Sequence, residues 1–131
     1  MPSLDTNCLL RWLLGDDPEQ TPIITKIIDT EENLVIADAA IIETVFVLEK
    51  VKKIERTTIE KAILTLFEMS NISCSKELFT ETLSIWSKHP KLSFVDCYLE
   101  TYTRKTGDTP LLTFDKKMSS QLDSAKYLTK T

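Results

Sequence analysis

Short apolar segments alternate with longer amphipathic stretches along this chain of 131 residues. Leu34–Ala37 and Leu111–Phe114 have the length and side chains of buried strands, Ile72–Cys74 is a weaker candidate, and Ala125–Thr129 is a candidate edge strand. Between them, apolar residues recur at helical spacing. Short strands separated by helices are typical of a parallel sheet covered by helices. We therefore predict an α/β fold with a short central parallel sheet of about four to five strands flanked by helices.

Capping residues mark the expected starts of the first helices. Asp5, Asp17 and Asp38 each precede a helical stretch, and an Asp side chain there can accept hydrogen bonds from the first free N–H groups. Pro18 after Asp17 is suited to the first helical position. The stretch from Ala39 to Lys53 has the length and composition of one continuous helix.

Further signals place later helices and their ends. Thr57 and Glu60 have the spacing of a capping box at the start of a fourth helix. The sequence also predicts a later helix over Phe94–Thr106. Gly15 and Gly107 follow the ends of helical stretches, where glycine favours termination.

The small numbers of glycine, histidine and cysteine exclude several kinds of site. Two glycines are too few for a dinucleotide-binding fingerprint or a phosphate-binding loop. His89 alone cannot form a paired-histidine acid–base site or a multi-histidine zinc site. Three cysteines without CxxC spacing fit neither a disulfide framework nor a cysteine-rich zinc site, and are interpreted as small apolar residues in a reducing cytoplasm. The chemistry is therefore expected to rest on carboxylates, hydroxyls or thiols.

Composition predicts one domain over residues 1–131, with no membrane segment. The hydrophobic fraction is 42% and the charged fraction 27%, which is typical of a globular chain. The longest apolar runs are far shorter than a bilayer span, and no basic segment of the signal-peptide kind precedes Asp5. The net charge of −4 provides no overall positive field to attract nucleic acid, so contacts with it would have to be local.

Three acidic residues, Asp5, Asp96 and Asp115, stand just beyond apolar segments. In open α/β sheets, functional groups collect past the carboxyl ends of the strands. Each residue also has a simpler explanation as a helix cap, and Ser93 with Asp96 has the spacing of a capping box. Taken singly, these three residues do not decide between capping and chemistry.

Glu43 has no capping role, because it lies a full turn inside an apolar helical stretch. The pattern around it predicts burial, and a buried carboxylate requires a cation, a hydrogen-bond donor or protonation. The alternative is that Glu43 emerges at the surface beside Thr44. If Asp5, Glu43, Asp96 and Asp115 converge, their repulsion calls for a bound cation, and oxygen ligands favour Mg²⁺ or Mn²⁺. Such ions promote phosphodiester hydrolysis.

Four motifs, in order along the chain, resemble those of the PIN domains and, within them, the VapC-type toxins of toxin–antitoxin pairs. They are Leu4-Asp5-Thr6-Asn7, Ile42-Glu43 followed by Val47-Leu48, Phe94-Val95-Asp96, and Leu112-Thr113-Phe114-Asp115. The resemblance implies a PIN-like three-layer sandwich and a metal-dependent endoribonuclease, the toxin of a type II pair. It also implies Asp5, Glu43, Asp96 and Asp115 as catalytic, metal-binding acids, supported by Asn7 and Thr113.

The same resemblance implies partners: an RNA substrate, a second copy in a homodimer, and a small antitoxin that inserts a basic side chain into the acidic pocket. Arg11, Lys116 and Lys117 lie close in sequence to the motifs and are candidates for RNA-phosphate contacts, with solvated surface as the alternative. Where the family often has small apolar residues, this chain has Glu100, four residues after Asp96. Glu100 is either an additional ligand or a solvated side chain, and we favour the latter.

Two other classes of function remain open at this point. A receiver-like phospho-acceptor domain is also a small α/β fold, but Asp5 lacks an acidic neighbour and only Lys130 follows the last candidate strand. A non-catalytic interaction protein that keeps the PIN fold is the other alternative. The presence of all four acids argues against it.

Overall fold

The structure is a computed structural model that describes residues 1–129. Helices and short strands alternate along these residues. Lys130 and Thr131 lie outside the described residues. The helices are α1 Thr6–Leu14, α2 Gln20–Thr30, α3 Asp38–Phe46, α4 Arg56–Phe67, α5 Lys76–Lys88, α6 Phe94–Thr106 and α7 Lys116–Gln121. The strands are β1 Leu34–Val35, β2 Ile72–Ser73, β3 Leu111–Thr113 and β4 Ala125–Tyr127. The α/β fold class is confirmed.

The strands of the described residues pair in parallel, as expected, but as two separate pairs. β1 lies beside β2 with Leu34 opposite Ile72, and β3 lies beside β4 with Leu111 opposite Ala125. The segment that precedes Asp5 makes a single parallel bridge, between Ser3 and Val35. Because each strand is only two or three residues long, the ladders are short.

Contacts divide the chain into two compact units, the first spanning Met1–Lys76 and the second beginning at Glu77. In the first unit, α1 packs against α2 and α3 over buried aliphatic side chains. In the second unit, Phe94 stacks on Phe79 at a centroid distance of 6.2 Å and meets the edge of Trp86 at 5.3 Å. These contacts anchor the first residue of α6, and with it the turn that carries Asp96.

Several helix ends follow the sequence signals closely. Asp5 caps α1 by accepting the N–H of Cys8 at 2.9 Å. Gly15 and Gly107 end α1 and α6 with φ values of 61° and 80°, a left-handed conformation that glycine adopts without strain. The predicted bounds of α6 are confirmed.

Other helix starts were predicted wrongly. α2 begins at Gln20 rather than Pro18, because the Asp17 carboxylate accepts the N–H groups of Glu19 and Gln20, at 2.9 and 2.7 Å, in a turn before the helix. Asp38 is a helical residue rather than a cap, and its carboxylate accepts the Ser75 hydroxyl at 2.9 Å.

The expected continuous helix over 39–53 and the expected capping box of α4 are also wrong. The helix changes to π-helical geometry over Val47–Val51, and Lys53 then adopts a φ of 58°, which ends it. α4 begins at Arg56, whose guanidinium Nε pairs with Glu49 at 2.7 Å. Thr57 therefore lies inside the helix and cannot cap it.

No helix within residues 1–129 is both long enough and apolar enough to cross a membrane.

Candidate functional site

Asp5 stands where the first extended segment ends and α1 begins. Its side chain is exposed, and its Oδ1 accepts the backbone N–H of Cys8 at 2.9 Å. This bond, together with one from the Cys8 thiol, lowers the pKa of Asp5 below its ordinary value. Both hydrogen bonds thus favour the ionised form of the carboxylate.

Glu43 shares a cleft with Asp5. The cleft has a volume of about 400 Å³, and small side chains, among them Ala39 and Ala40, form part of its lining. α1 and α3 pack against each other, and this packing places the two carboxylates on one surface of the first unit. Two acids separated by 38 residues in sequence therefore face one open space.

The predicted burial of Glu43 is wrong, and the alternative placement is the observed one. Glu43 is exposed, whereas Thr44 is fully buried. Thr44 tolerates burial because its hydroxyl donates to the carbonyl of Ala40 at 2.7 Å. The inward face of α3 consists of Ile41, Thr44 and Val45, so the polar residue in the core is the threonine rather than the carboxylate.

Asp96 and Asp115 belong to the second unit. Asp96 lies in the first turn of α6, where its backbone N–H donates to the Ser93 hydroxyl at 3.1 Å. The cap is therefore Ser93, and the Asp96 side chain is not needed for capping. Asp115 caps α7 by accepting the N–H groups of Lys117 and Met118 at 2.9 and 3.2 Å. α6 packs against β3, the strand that leads to Asp115.

Asn7 and Thr113 lie close to the acids that they were predicted to support. Asn7 and Asp5 line a second cleft of about 290 Å³, together with Arg11 of α1 and apolar residues of α2. The Thr113 hydroxyl accepts the backbone N–H of Asp115 at 2.9 Å, which fixes the turn between β3 and α7.

The candidate cations lie in two places. Arg11 lines the cleft beside Asn7, and its guanidinium is 3.6 Å from the Asp16 carboxylate. Lys116 Nζ lies 5.6 Å from the centre of the Tyr127 ring, a cation–π contact, and Lys117 is exposed.

Each unit thus carries two of the four acids, and none of them forms a salt bridge within residues 1–129. In the same part of the chain, no group of three or more His, Cys, Asp or Glu side chains is arranged to hold a metal ion. The shared cleft does offer two exposed carboxylates without a cationic partner. Oxygen donors of this kind fit Mg²⁺ or Mn²⁺.

Glu100 is buried, so the expectation of a solvated side chain is wrong. Only 1% of it is exposed, and its Oε2 accepts the backbone N–H of Ser124 at 3.1 Å. Arg104 donates to both carboxylate oxygens at 3.3 Å and also pairs with Glu81 of α5. These bonds tie α6 to α5 and to the turn before β4. The spacing of Glu100 and Arg104, one helical turn apart, was the sequence signal for this pair.

Glu100→Ala is expected to lower the free energy of unfolding by about 3 kcal/mol, because it leaves the N–H of Ser124 and part of the Arg104 guanidinium without an acceptor. Urea denaturation measures this change. The matched control is Glu77→Ala, which removes an ion pair with Lys105 from a side chain that is 91% exposed. The control should change stability by no more than about 0.5 kcal/mol. Equal effects of the two substitutions would contradict a structural role for the buried Glu100.

Comparison with known proteins gives two matches that run through this region. The sequence model of a family described as "PIN domain" matches residues 3–121, a range that includes all four acids and reaches into both units. A protein from Aquifex aeolicus (strain VF5) described as "VapC ribonuclease" is 28% identical over 122 residues, which cover 89% of each chain.

Proposed function

The chain belongs to the PIN domain family, and from that premise we propose that it is a metal-dependent endoribonuclease, the toxin of a type II toxin–antitoxin pair. The similarity to a VapC ribonuclease supports the reaction. The observation that carries the proposal is the cleft in which the Asp5 and Glu43 carboxylates face one space without a cationic partner. The receiver-like alternative has no support, because the family match covers most of the chain.

In this proposal, Asp5, Glu43, Asp96 and Asp115 are the catalytic acids and hold Mg²⁺ or Mn²⁺. The bound ion would supply Lewis-acid activation of water and neutralise charge on the phosphodiester. Residues 1–131 act as one PIN domain, since a single family match reaches into both units.

The remaining site residues position these acids and the substrate. The Thr113 hydroxyl holds the backbone of Asp115, and Asn7 lies beside Asp5 on the second cleft. Arg11, Lys116 and Lys117 provide local positive charge for RNA phosphates, because a net charge of −4 gives the chain no overall positive field.

The partners follow from the same proposal. A ribonuclease acting in the cytoplasm endangers its own cell, so a small antitoxin blocks the site by placing an Arg or Lys among the acids, where a guanidinium pairs with two carboxylates at once. The apolar side of the second cleft, where Ile23 is 64% and Ile27 38% exposed, provides the rest of that interface. The active form is a homodimer. Three cysteines that form no disulfide are compatible with a reducing cytoplasm.

The purified chain is expected to cleave RNA in the presence of Mg²⁺ or Mn²⁺, and cleavage should stop when the ion is chelated. The products should carry 5′-phosphate and 3′-hydroxyl ends, because the single histidine cannot provide the paired imidazoles that promote attack by the ribose 2′-hydroxyl. Ligation and phosphatase assays on the product ends measure this. Cyclic 2′,3′-phosphate ends, or undiminished cleavage in a chelator, would contradict the mechanism.

A further inference from the structure

Phe114 stands out among the aromatic residues of the described chain because 78% of it is exposed, more than any other aromatic side chain in residues 1–129. It lies between the end of β3 and Asp115. None of the ring contacts within the second unit involves it. The fold therefore makes little use of this ring, although Phe is among the residue types most often buried.

Positively charged residues follow Asp115 in sequence, whereas Phe114 precedes it. Lys116 and Lys117 are both exposed and follow Asp115 directly. The Nζ of Lys116 lies over the Tyr127 ring, and Tyr127 is opposite Thr113 in the β3–β4 pair. An exposed aromatic residue and a lysine thus flank one acid of the candidate site in sequence.

We propose that Phe114 is a stacking platform for an unpaired base of the RNA substrate, with Lys116 contacting a neighbouring phosphate; the proposal rests on the ribonuclease function proposed above. Sites for single-stranded nucleic acid combine basic side chains that follow the backbone with aromatic rings on which bases stack. Adjacent Cα atoms are about 3.8 Å apart, so a nucleotide stacked on Phe114 is held near the backbone segment that carries Asp115.

The charges around Phe114 favour RNA over a second protein surface. Lysine is depleted at the centres of protein interfaces, whereas two lysines follow within three residues of this ring. Stacking accepts any base, because every base has a π face. The platform therefore adds affinity for single-stranded RNA without selecting a sequence.

The test is the binding of a short, labelled, uridine-only oligoribonucleotide to the full chain in EDTA, followed by fluorescence anisotropy, with the recovered probe checked for integrity on a gel. Phe114→Ala should weaken binding about tenfold, and Phe114→Trp should retain it. The control is Leu112→Ala, which removes an apolar side chain of β3 that is 56% exposed and lies two residues further from Asp115 in sequence. It should bind as the wild type does.

A second probe of the same length, with abasic sites in place of the bases, isolates the stacking contribution. Wild type and Phe114→Ala should bind this probe equally. The proposal is overturned if Phe114→Ala binds the uridine probe like the wild type, or if its defect persists with the abasic probe. It is also overturned if sedimentation shows that the substitution breaks a dimer and that this accounts for the lost binding. Cleavage of RNA by the wild type in Mg²⁺ is measured separately. If the wild type does not cleave RNA, the proposed ribonuclease function is overturned. If the wild type cleaves RNA but Phe114→Ala binds the uridine probe normally, only the role of Phe114 as a stacking platform is overturned.

Discussion

Asp96→Asn is expected to lower the rate of RNA cleavage by about 100-fold or more, since removal of a group that merely orients a metal ligand already costs about 10- to 100-fold. The substitution keeps the size of the side chain but removes its charge. The fold should survive it, because the α6 cap is the Ser93 hydroxyl and the backbone N–H of Asp96 still donates to it. Rates of cleavage by the purified proteins in Mg²⁺ measure the effect.

Asp96→Asn should also have a large effect on the growth of cells that express the chain. Expression of the wild-type chain without its partner is expected to arrest growth, and Asp96→Asn should permit it. The matched control is Asp108→Asn, at the opposite end of α6, where an exposed carboxylate accepts the Thr106 hydroxyl. That variant should arrest growth like the wild type. Equal growth with the wild type and Asp96→Asn, both expressed in soluble form, would favour a non-catalytic PIN-fold interaction protein.

Mn²⁺ is expected to raise the thermal stability of the wild type markedly. The loss of any one of the four acids should remove most of this increase in stability. At a concentration about 100 times its Kd, a ligand adds about 2.7 kcal/mol, which corresponds to a rise in Tm of about 10 °C for a domain of this size. The variants are Asp5→Asn, Glu43→Gln, Asp96→Asn and Asp115→Asn. Thermal unfolding with and without Mn²⁺ measures the gain.

The design of these variants protects the fold. Asp5 and Asp115 cap α1 and α7, and Asn caps helices about as well as Asp does. Asp17→Asn is the control, because Asp17 also accepts backbone N–H groups but lies outside the acid set. It should keep the full response to Mn²⁺. Loss of the response in this control would point to general destabilisation instead.

Local signals predicted much of the fold. The cap at Asp5, the left-handed glycine at Gly107 and the hydroxyl of Ser93 each act within a few residues of the helix end that they define, so the sequence contains the whole interaction. The α/β class followed for the same reason, from the alternation of strand-like and helix-like segments.

Two of the errors arose where partners lie far apart in sequence. Asp38 accepts a hydroxyl from Ser75, 37 residues away, and Glu100 accepts the N–H of Ser124, 24 residues away. No local pattern contains such contacts. Glu43 was misplaced for a different reason: an apolar composition indicates that a helix is buried but not which of its sides faces inward, and Thr44 occupies the inward side.

The central claim is the proposal that Asp5, Glu43, Asp96 and Asp115 are all metal-binding acids, and the most direct test is the titration of Mn²⁺ into the wild type and the four acid variants, followed by electron paramagnetic resonance. We expect the wild type to bind Mn²⁺ and all four variants to bind it more weakly, including Asp96→Asn and Asp115→Asn of the second unit. Weakened binding in Asp5→Asn and Glu43→Gln alone, with wild-type affinity in the other two, would contradict the proposal that all four acids bind the metal.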